Sequence, residues 1–442
     1  MEYSEEQQIA FQKYLEGKNI FITGPGGAGK SQLIKDIYKD ALQKEKRIQV
    51  CALTGCAAVL LGCKAKTIHS WAGIGLASGS NDSIVAKIVK SVFKKKVWKE
   101  TDILILDEVS MMSKKLFDLI DSIAKKVRNN PKPFGGIQVI FSGDFYQLPP
   151  VGDKEQLETM QFCFESSLWF ETFTIENHVQ LRTIFRQKDL MYSTILNQIR
   201  EGKIKKSSIL RLNEYINREK PVDAVITKLF PTRNKVERIN QSEMVKLTAE
   251  EKEYVLKPVF ELAMTEKEKC RRLEFSKEQI ATELQFIQGN LLCENKIRLK
   301  VGSHVMCIVN IELASGQMIC NGSQGVIVKI NDQNIPVVKY NNGIEMAMNH
   351  HVWPSENIPG IGVSQIPLIL AWALTIHKCQ GATLDCAEID VGEGIFECGQ
   401  TYVALSRVKS LEGLFLTSFD PSKIRIHKKV RDFYDFIDSY NK

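Results

Sequence analysis

Residues 24–31 read Gly24-Pro25-Gly26-Gly27-Ala28-Gly29-Lys30-Ser31. The apolar run 20–22 precedes this stretch, and the amphipathic run 32–37 follows it. Strand, glycine-rich turn and helix in that order form the context that the phosphate-binding motif G-x-x-x-x-G-K-[ST] requires. A glycine-rich turn with a chance Lys-Ser pair is the alternative, but the match extends over all eight residues. The stretch therefore predicts a site for a nucleoside triphosphate.

The residues of this motif have separate predicted roles. Backbone N–H groups of the turn point at the phosphates, with the positive end of the following helix behind them. Lys30 is expected to neutralise the β and γ phosphates, and Ser31 to offer its hydroxyl to Mg²⁺. The turn residues expected to hold the nucleotide are Gly24, Gly26, Gly27, Ala28 and Gly29.

Composition narrows the class of protein. The chain has 442 residues, and at ~150 residues per domain this length predicts about three domains. The net charge of +7 is compatible with nucleic-acid binding without demonstrating it. The 11 cysteines form no C-x-x-C pair and no secretory segment opens the chain, which indicates reduced thiols in the cytoplasm, the nucleus or a viral replication site rather than secretion. No apolar run reaches the roughly 18 residues of a membrane span.

A second apolar strand ends in two carboxylates. The run 103–106 is entirely apolar, and Asp107 and Glu108 follow it. Because a buried strand cannot carry charges cheaply, this pair is expected at the end of the strand, in the crevice where parallel sheets bind ligands. Asp107 is predicted to hold Mg²⁺, and Glu108 to polarise the attacking water.

A third strand, 137–142, leads into the segment 143–150. Gln147 in this segment is a candidate sensor of the γ phosphate, because one amide hydrogen bond can report its presence. Gln147 would couple the nucleotide state to whatever Pro149 contacts. Further along the chain, Arg186 follows another strand-like segment and could reach the γ phosphate.

Other residues carry weaker signals. Gln7 could read the adenine edge, or it could be only the third residue of a capping box that begins at Ser4. Thr54, His69 and Trp71 would suit a groove that follows a nucleic-acid backbone, with Trp71 as a stacking platform, although a tryptophan in this context is more often a core residue. The lysine-rich helical stretch 83–99 is either a solvated face or a phosphate-contacting one.

The second half of the chain repeats the parallel-sheet pattern around a β-rich insertion. This second half begins with a strand that is followed by a turn at Thr232, Arg233 and Asn234. Short β-rich runs separated by turn residues occupy about 297–353 and predict a small all-β insertion. The stretch 249–294 is charged and weakly patterned, and it suggests no chemistry.

Taken in order, these motifs resemble those of superfamily 1 helicases, and most closely the Pif-type (petite integration frequency) 5′-to-3′ DNA helicases. The resemblance covers nearly the whole chain and rests on eight segments: 24–31, 54–58, 67–75, Asp107-Glu108, 143–150, 185–187, 375–381 and 404–407. It implies ATP and Mg²⁺ as cofactors, and single-stranded and forked duplex DNA as partners of a monomeric enzyme. DNA replication, repair and recombination are the expected settings.

The resemblance also implies an α/β fold of two RecA-like P-loop domains with parallel sheets. The first domain, 1–200, would contain a helical wedge at about 66–100. The second would begin with connecting helices at 201–296, contain a β-barrel insertion at 297–366 and finish at 367–442.

The roles that the resemblance implies fall into two groups. Around ATP, Gln7 would lie near adenine, Gln147 would sense the γ phosphate, and Arg186 and Arg407 would clamp it. Along the single strand it implies contacts from Thr54, His69, Trp71, Pro149, Thr232, Arg233, Asn234, Thr375, His377 and Lys378.

Two rival functions fit the same motifs. One is a RecD-like or transposon-associated translocase that needs a larger complex, which robust unwinding by the isolated chain would exclude. The other is an ATP-gated clamp that switches its affinity for nucleic acid without moving, which directional displacement of a block on a single strand would exclude.

Overall fold

The computed structural model of the protein describes residues 3–54, 57–58, 61, 63–75, 77, 79–153, 155–187, 189–221, 226–291, 293–313, 318–319, 322–355, 358–379 and 383–440. The chain forms two compact units. The first comprises Met1–Leu212, Ile395–Leu411 and Asp420–Lys442, and the second comprises Asn213–Gly394 and Glu412–Phe419. None of the described helices combines the length and apolarity needed to cross a membrane.

The first unit is built on a six-stranded parallel sheet. Its strands, in spatial order, are Lys66–Thr67, Ile48–Ala52, Ile103–Asp107, Gln138–Gly143, Ile20–Thr23 and His178–Gln180. Alternate residues of one strand enter different cores: Phe21 packs among aromatic residues, whereas Ile20 and Ile22 pack among aliphatic ones. Burial on both faces explains why these strands are continuous apolar runs.

Helices cover this sheet. Those of the first unit are Glu5–Leu15, Lys30–Gln43, Ile68–Ala72, Asn81–Lys90, Val92–Glu100, Lys114–Arg128, Trp169–Thr172, Leu190–Arg200, Gln400–Leu405 and Lys428–Tyr440, with Lys206–Asn213 at its border. The two helices at 81–100 lie where the sequence predicts a helical wedge, and that wedge stays a prediction.

The second unit contains a four-stranded parallel sheet, in the order Ala373–Thr375, Thr227–Phe230, Ala387–Val391 and Leu414–Phe419. The α/β fold class with two parallel sheets is therefore confirmed. The helices of this unit are Arg233–Lys246, Glu266–Arg272 and Lys277–Asn290, so the unpatterned stretch 249–294 contains two of them.

Antiparallel strands occupy the region of the predicted β-barrel, which itself stays a prediction. A five-stranded sheet runs in the order Glu345–Ala347, Pro336–Tyr340, Gln324–Ile330, His304–Cys307 and Leu368–Leu370. Three smaller sheets pair Lys296–Leu299 with Lys252–Val255, Ile311–Glu312 with Met318–Ile319, and Gly362–Gln365 with both His351–Pro354 and Lys257–Val259.

The compact units divide the end of the chain differently from the prediction that all of 367–442 belongs to the second domain. Residues 395–411 and 420–442 group with the first unit rather than with the second. The reason is burial: Val430, Phe433 and Ile437 of the last helix enter the aromatic core of the first unit. Arg407 consequently lies in the same unit as the phosphate-binding loop.

Candidate ATP and nucleic-acid sites

The phosphate-binding loop joins the strand Ile20–Thr23 to the helix that begins at Lys30. Gly27 and Gly29 have φ angles of 85° and 82°, a region that favours glycine. A Cβ atom on Gly29 would lie 2.5 Å from Gln7 Nε2, so glycine is also needed for close packing. Gln7 Oε1 accepts a hydrogen bond from Ser4 N at 3.0 Å. Gln7 is thus a capping partner whose other amide atom borders the loop.

Lys30 folds back over its own loop. Its Nζ donates to the carbonyl oxygens of Gly24 at 2.6 Å and Pro25 at 3.0 Å. Burial lowers the pKa of Lys30, and the nearby carboxylates of Asp144, Glu108 and Asp107 oppose that shift. A cation held at the mouth of a loop of backbone donors is suited to bind an anion.

Asp107 and Glu108 end the strand Ile103–Asp107 at the edge of the sheet where the phosphate loop begins. Asp107 is buried, and burial, followed by the charge of Glu108, raises the pKa of Asp107 to about 6. Glu108 has a left-handed backbone, with φ at 58°. Such a conformation is costly for a residue with a side chain and is often found at functional sites.

Gln147 is buried on the chain segment after Gly143. Its Oε1 accepts no hydrogen bond from the part of the chain that the structure describes. A buried amide oxygen without a donor is unfavourable by itself, and a bound ligand is one of the partners that can satisfy it. The sequence predicts the γ-phosphate sensor at this residue, and the orphan oxygen is compatible with that prediction.

Two arginines reach the phosphate loop within the first unit. A Cβ atom on Gly27 would lie 2.4 Å from Arg186 Cβ, and one on Gly26 would lie 3.7 Å from Arg407 Nη2. Arg407 is almost fully buried, and its Nε donates to Val403 O at 2.9 Å. Burial, followed by the positive charge of Arg407, lowers the pKa of Arg186 to about 10. An anion between these cations would relieve their repulsion.

Tyr402 and Arg200 are two site residues that the sequence interpretation did not single out. The Tyr402 hydroxyl accepts a hydrogen bond from Gly26 N at 2.8 Å. Arg200 Nε and Nη2 donate to the two carboxylate oxygens of the fully buried Asp144, each at 2.8 Å. A Cβ atom on Gly26 would also lie 3.7 Å from Ser406 Oγ, so Ser406 of the motif 404–407 borders the loop as well. Because residues four apart share a helix face, the position of Ser406 could have pointed to Tyr402.

A metal ion would find oxygen ligands in this site. Ser31 is exposed at the second position of the helix after the phosphate loop, and the Asp107 carboxylate is the other predicted ligand. The described residues form no cluster of three or more His, Cys, Asp or Glu side chains that could hold a metal. A serine hydroxyl and an aspartate carboxylate are oxygen ligands of the kind that Mg²⁺ uses, one or two at a time, together with phosphate and water.

A cavity of about 410 Å³ lies in the first unit and brings together two of the predicted nucleic-acid residues, Thr54 and His69. Thr54, His69 and Pro150 line it, along with Lys115. Burial lowers the pKa of His69, which favours its neutral form. Pro149 is half-buried and adjacent to the lining residue Pro150. Residues 55 and 56 of the same motif lie outside the described residues.

Trp71 does not belong to this surface. Its side chain is only 5% exposed, and its ring centroid lies 4.4 Å from that of the buried Trp98. Because its ring is enclosed by the core, it offers no face on which a base could stack. The stacking role predicted for Trp71 is therefore corrected: it is a core residue.

The second unit places its predicted contact residues at one edge. Thr375 pairs with Phe230 in parallel register, so the turns after both strands meet at the carboxyl edge of the sheet. Thr232, Arg233 and Asn234 are exposed there, whereas His377 and Lys378 are half-buried. Lys378 N donates to Thr375 Oγ1 at 3.3 Å. Residues 380 and 381 of this motif are outside the described residues.

Known proteins resemble the chain along its whole length. Residues 2–209 match the model of the PIF1-like helicase family. The ATP-dependent DNA helicase PIF1 of Emericella nidulans is 34% identical over 95% of this chain and 61% of its own length, so the chain spans about three fifths of that relative. The crystal structure of Pif1 helicase from Candida albicans is 33% identical, with a TM-score of 0.79 over 99% of this chain and 100% of that one. Pif1 from Bacteroides sp, in complex with ADP-AlF4, is 28% identical, with a TM-score of 0.77.

Proposed function

Because the chain belongs to the PIF1-like helicase family, we propose that it is an ATP-dependent 5′-to-3′ DNA helicase. It translocates on single-stranded DNA as a monomer and unwinds forked duplex DNA, with RNA–DNA hybrids and G-quadruplexes as further candidate substrates. DNA replication, repair and recombination are its proposed settings, in the cytoplasm, the nucleus or a viral replication site.

The observation that carries this proposal is the convergence of five charged groups on one loop. Lys30 lies in the phosphate loop, Arg186 and Arg407 border its glycines, and the carboxylates of Asp107 and Glu108 contribute to the electrostatics around Lys30. Phosphoryl transfer to water needs positive charge around the γ phosphate and a carboxylate near the attacking water. The three cations and two carboxylates around this loop support the proposal.

In the proposed reaction each group has a defined task. Lys30, Arg186 and Arg407 stabilise negative charge on the γ phosphate, while Glu108 takes the proton of the attacking water. Asp107 and Ser31 would hold Mg²⁺, which neutralises phosphate charge when bound. Gln147, whose Oε1 accepts no hydrogen bond from the described residues, is proposed to sense the γ phosphate.

The DNA strand is proposed to follow two surfaces, one in each unit. In the first unit it contacts the cavity lined by Thr54 and His69, next to Pro149. In the second it contacts the edge formed by the turns after Phe230 and Thr375, which holds Thr232, Arg233, Asn234, His377 and Lys378. Alternating grip by the two surfaces during the ATP cycle would move the protein toward the 3′ end.

Replacement of Lys30 tests whether ATP hydrolysis at this loop drives unwinding. Lys30→Ala should abolish both ATP hydrolysis and unwinding of a forked duplex, because the phosphates would lose the lysine of their binding loop. Lys39→Ala is the matched control, since Lys39 is exposed on the same helix. Unwinding retained in Lys30→Ala would contradict the proposed function.

A further inference from the structure

Tyr434 of the last helix lies outside all eight motif segments, yet its hydroxyl contacts two segments next to the phosphate-binding loop and Gln147. Tyr434 is buried in the core of the first unit. Its hydroxyl oxygen lies 2.6 Å from Thr23 Oγ1 and accepts a hydrogen bond from Phe145 N at 3.1 Å. Thr23 is the last residue before the phosphate loop, and Phe145 belongs to the segment that carries Gln147. One oxygen atom therefore joins the two segments.

The neighbours of Phe145 are held as well. The Tyr146 ring stacks on the Tyr434 ring, with centroids 4.6 Å apart and planes 9° apart. The Arg200 guanidinium lies 4.5 Å from the Tyr146 ring centroid while it makes its paired hydrogen bonds to Asp144. Asp144, Phe145 and Tyr146 thus each have a fixed partner. The stacked rings and the ion pair with two hydrogen bonds leave the side chains of Asp144 and Tyr146 little freedom to rotate.

The segment 144–147 connects the region of the phosphate-binding loop to the cavity lined by Thr54 and His69. Gln147 N donates to Asp144 O at 2.9 Å, which closes a turn directly after the fixed residues. Three residues later, Pro150 lines the cavity that also contains Thr54 and His69. Only two residues of chain, 148 and 149, therefore separate Gln147 from the cavity wall at Pro150.

Building on the proposed function, we propose that Tyr434 is a positioning residue that couples DNA in this cavity to ATP hydrolysis. Its hydroxyl keeps the segment 144–147 in register with the phosphate loop, so that contact of DNA with Pro150 places Gln147 for hydrolysis. Without that hydroxyl the loop and the segment can move independently, and DNA loses its effect on the rate.

Tyr434→Phe tests this coupling by removing one oxygen atom. Loss of a buried hydrogen-bonded group should lower the DNA-stimulated kcat about tenfold, whereas the KM for ATP and the Kd for single-stranded DNA change by less than about twofold. Tyr440→Phe is the matched control, because it removes an exposed hydroxyl from the same helix. It should behave as the unmodified protein does.

Thr23→Val removes the partner hydroxyl without altering the helix. It should give the same reduction in DNA-stimulated kcat. The kcat of the double variant with Tyr434→Phe should be no lower than that of either single variant, since both changes break the same contact between Thr23 and Tyr434. Additive losses, or equal losses of DNA-free and DNA-stimulated rates together with a lower Tm, would show a merely structural role and overturn the inference.

The same assays separate this inference from the proposed function. If DNA does not stimulate hydrolysis by the unmodified protein, the proposed function fails, and the inference fails with it. If DNA stimulates the unmodified protein and Tyr434→Phe equally, the inference alone is overturned.

Discussion

The hydroxyl of Tyr402 accepts a hydrogen bond from the backbone N–H of Gly26, although 376 positions separate the two residues. This contact ties the helix Gln400–Leu405, which directly precedes Arg407, to the phosphate-binding loop within one compact unit. Tyr402→Phe would leave the partly buried N–H group of Gly26 without its acceptor. We expect the free energy of unfolding without nucleotide to fall by about 1–3 kcal/mol. Urea titration of Tyr402→Phe and of the exposed-site control Tyr440→Phe measures this, and equal stability of the two would refute the contact.

Glu108 is proposed to accept the proton of the attacking water. Glu108→Gln keeps the size of the side chain but removes its basicity, so kcat for ATP hydrolysis should fall by about 10²–10⁴-fold while ATP still binds. Single-turnover hydrolysis and binding of a fluorescent ATP analogue separate these quantities. Glu100→Gln, at an exposed position before the same strand, should be unchanged. A Glu108→Gln variant that hydrolyses ATP at the normal rate would assign the base to another residue.

Asp107 makes stability depend on pH. Its pKa is raised from 3.8 to about 6, so the folded state binds this proton more tightly than the unfolded state does. The contribution of Asp107 to stability is therefore greatest below its ordinary pKa, falls as the pH rises through the window from 3.8 to about 6, and stays low above that window.

Asp107→Asn removes this dependence. Without nucleotide the variant should gain stability relative to the unmodified protein as the pH rises from 5 to 7.5, and the gain should level off above about pH 6. Urea unfolding at each pH gives the difference between the two proteins. A difference that does not change with pH would mean that Asp107 titrates normally in the folded protein.

Lys378 is a proposed phosphate contact on the second unit. Each phosphate neutralised on single-stranded DNA adds about −0.7 to the slope of log affinity against log salt. Lys378→Ala should therefore make the slope shallower by about 0.7, as measured by fluorescence anisotropy over a salt series. Lys339→Ala, on an exposed strand position, is the control. An unchanged slope for Lys378→Ala would remove this residue from the interface.

Sequence patterns within a single segment predicted those features that depend on that segment alone. The glycines before Lys30 and the carboxylates after an apolar strand are fixed by their own segments, and their positions follow from the rule that parallel strands end at one edge. Trp71 shows the limit of such reasoning. The sequence does not show whether a tryptophan is exposed or buried. The packing of Trp71 against Trp98, which lies 27 residues later in the chain, shows that Trp71 is buried.

Residues that act across the chain were not predictable in this way. Tyr434 and Arg200 lie in ordinary amphipathic helices, and their partners Thr23 and Asp144 are far away in sequence. The grouping of 395–411 with the first unit was missed for the same reason. Periodicity shows which face of a helix is buried, but it does not show against which unit that face packs.

The direction of movement is the central claim of the proposed function. The most direct measurement is the unwinding of two matched forked duplexes, one with only a 5′ single-stranded tail and one with only a 3′ tail, in the presence of ATP and Mg²⁺. We predict that the protein unwinds only the duplex with the 5′ tail and that Glu108→Gln unwinds neither. Unwinding from the 3′ tail, or DNA-stimulated hydrolysis without unwinding from either tail, would contradict a 5′-to-3′ helicase.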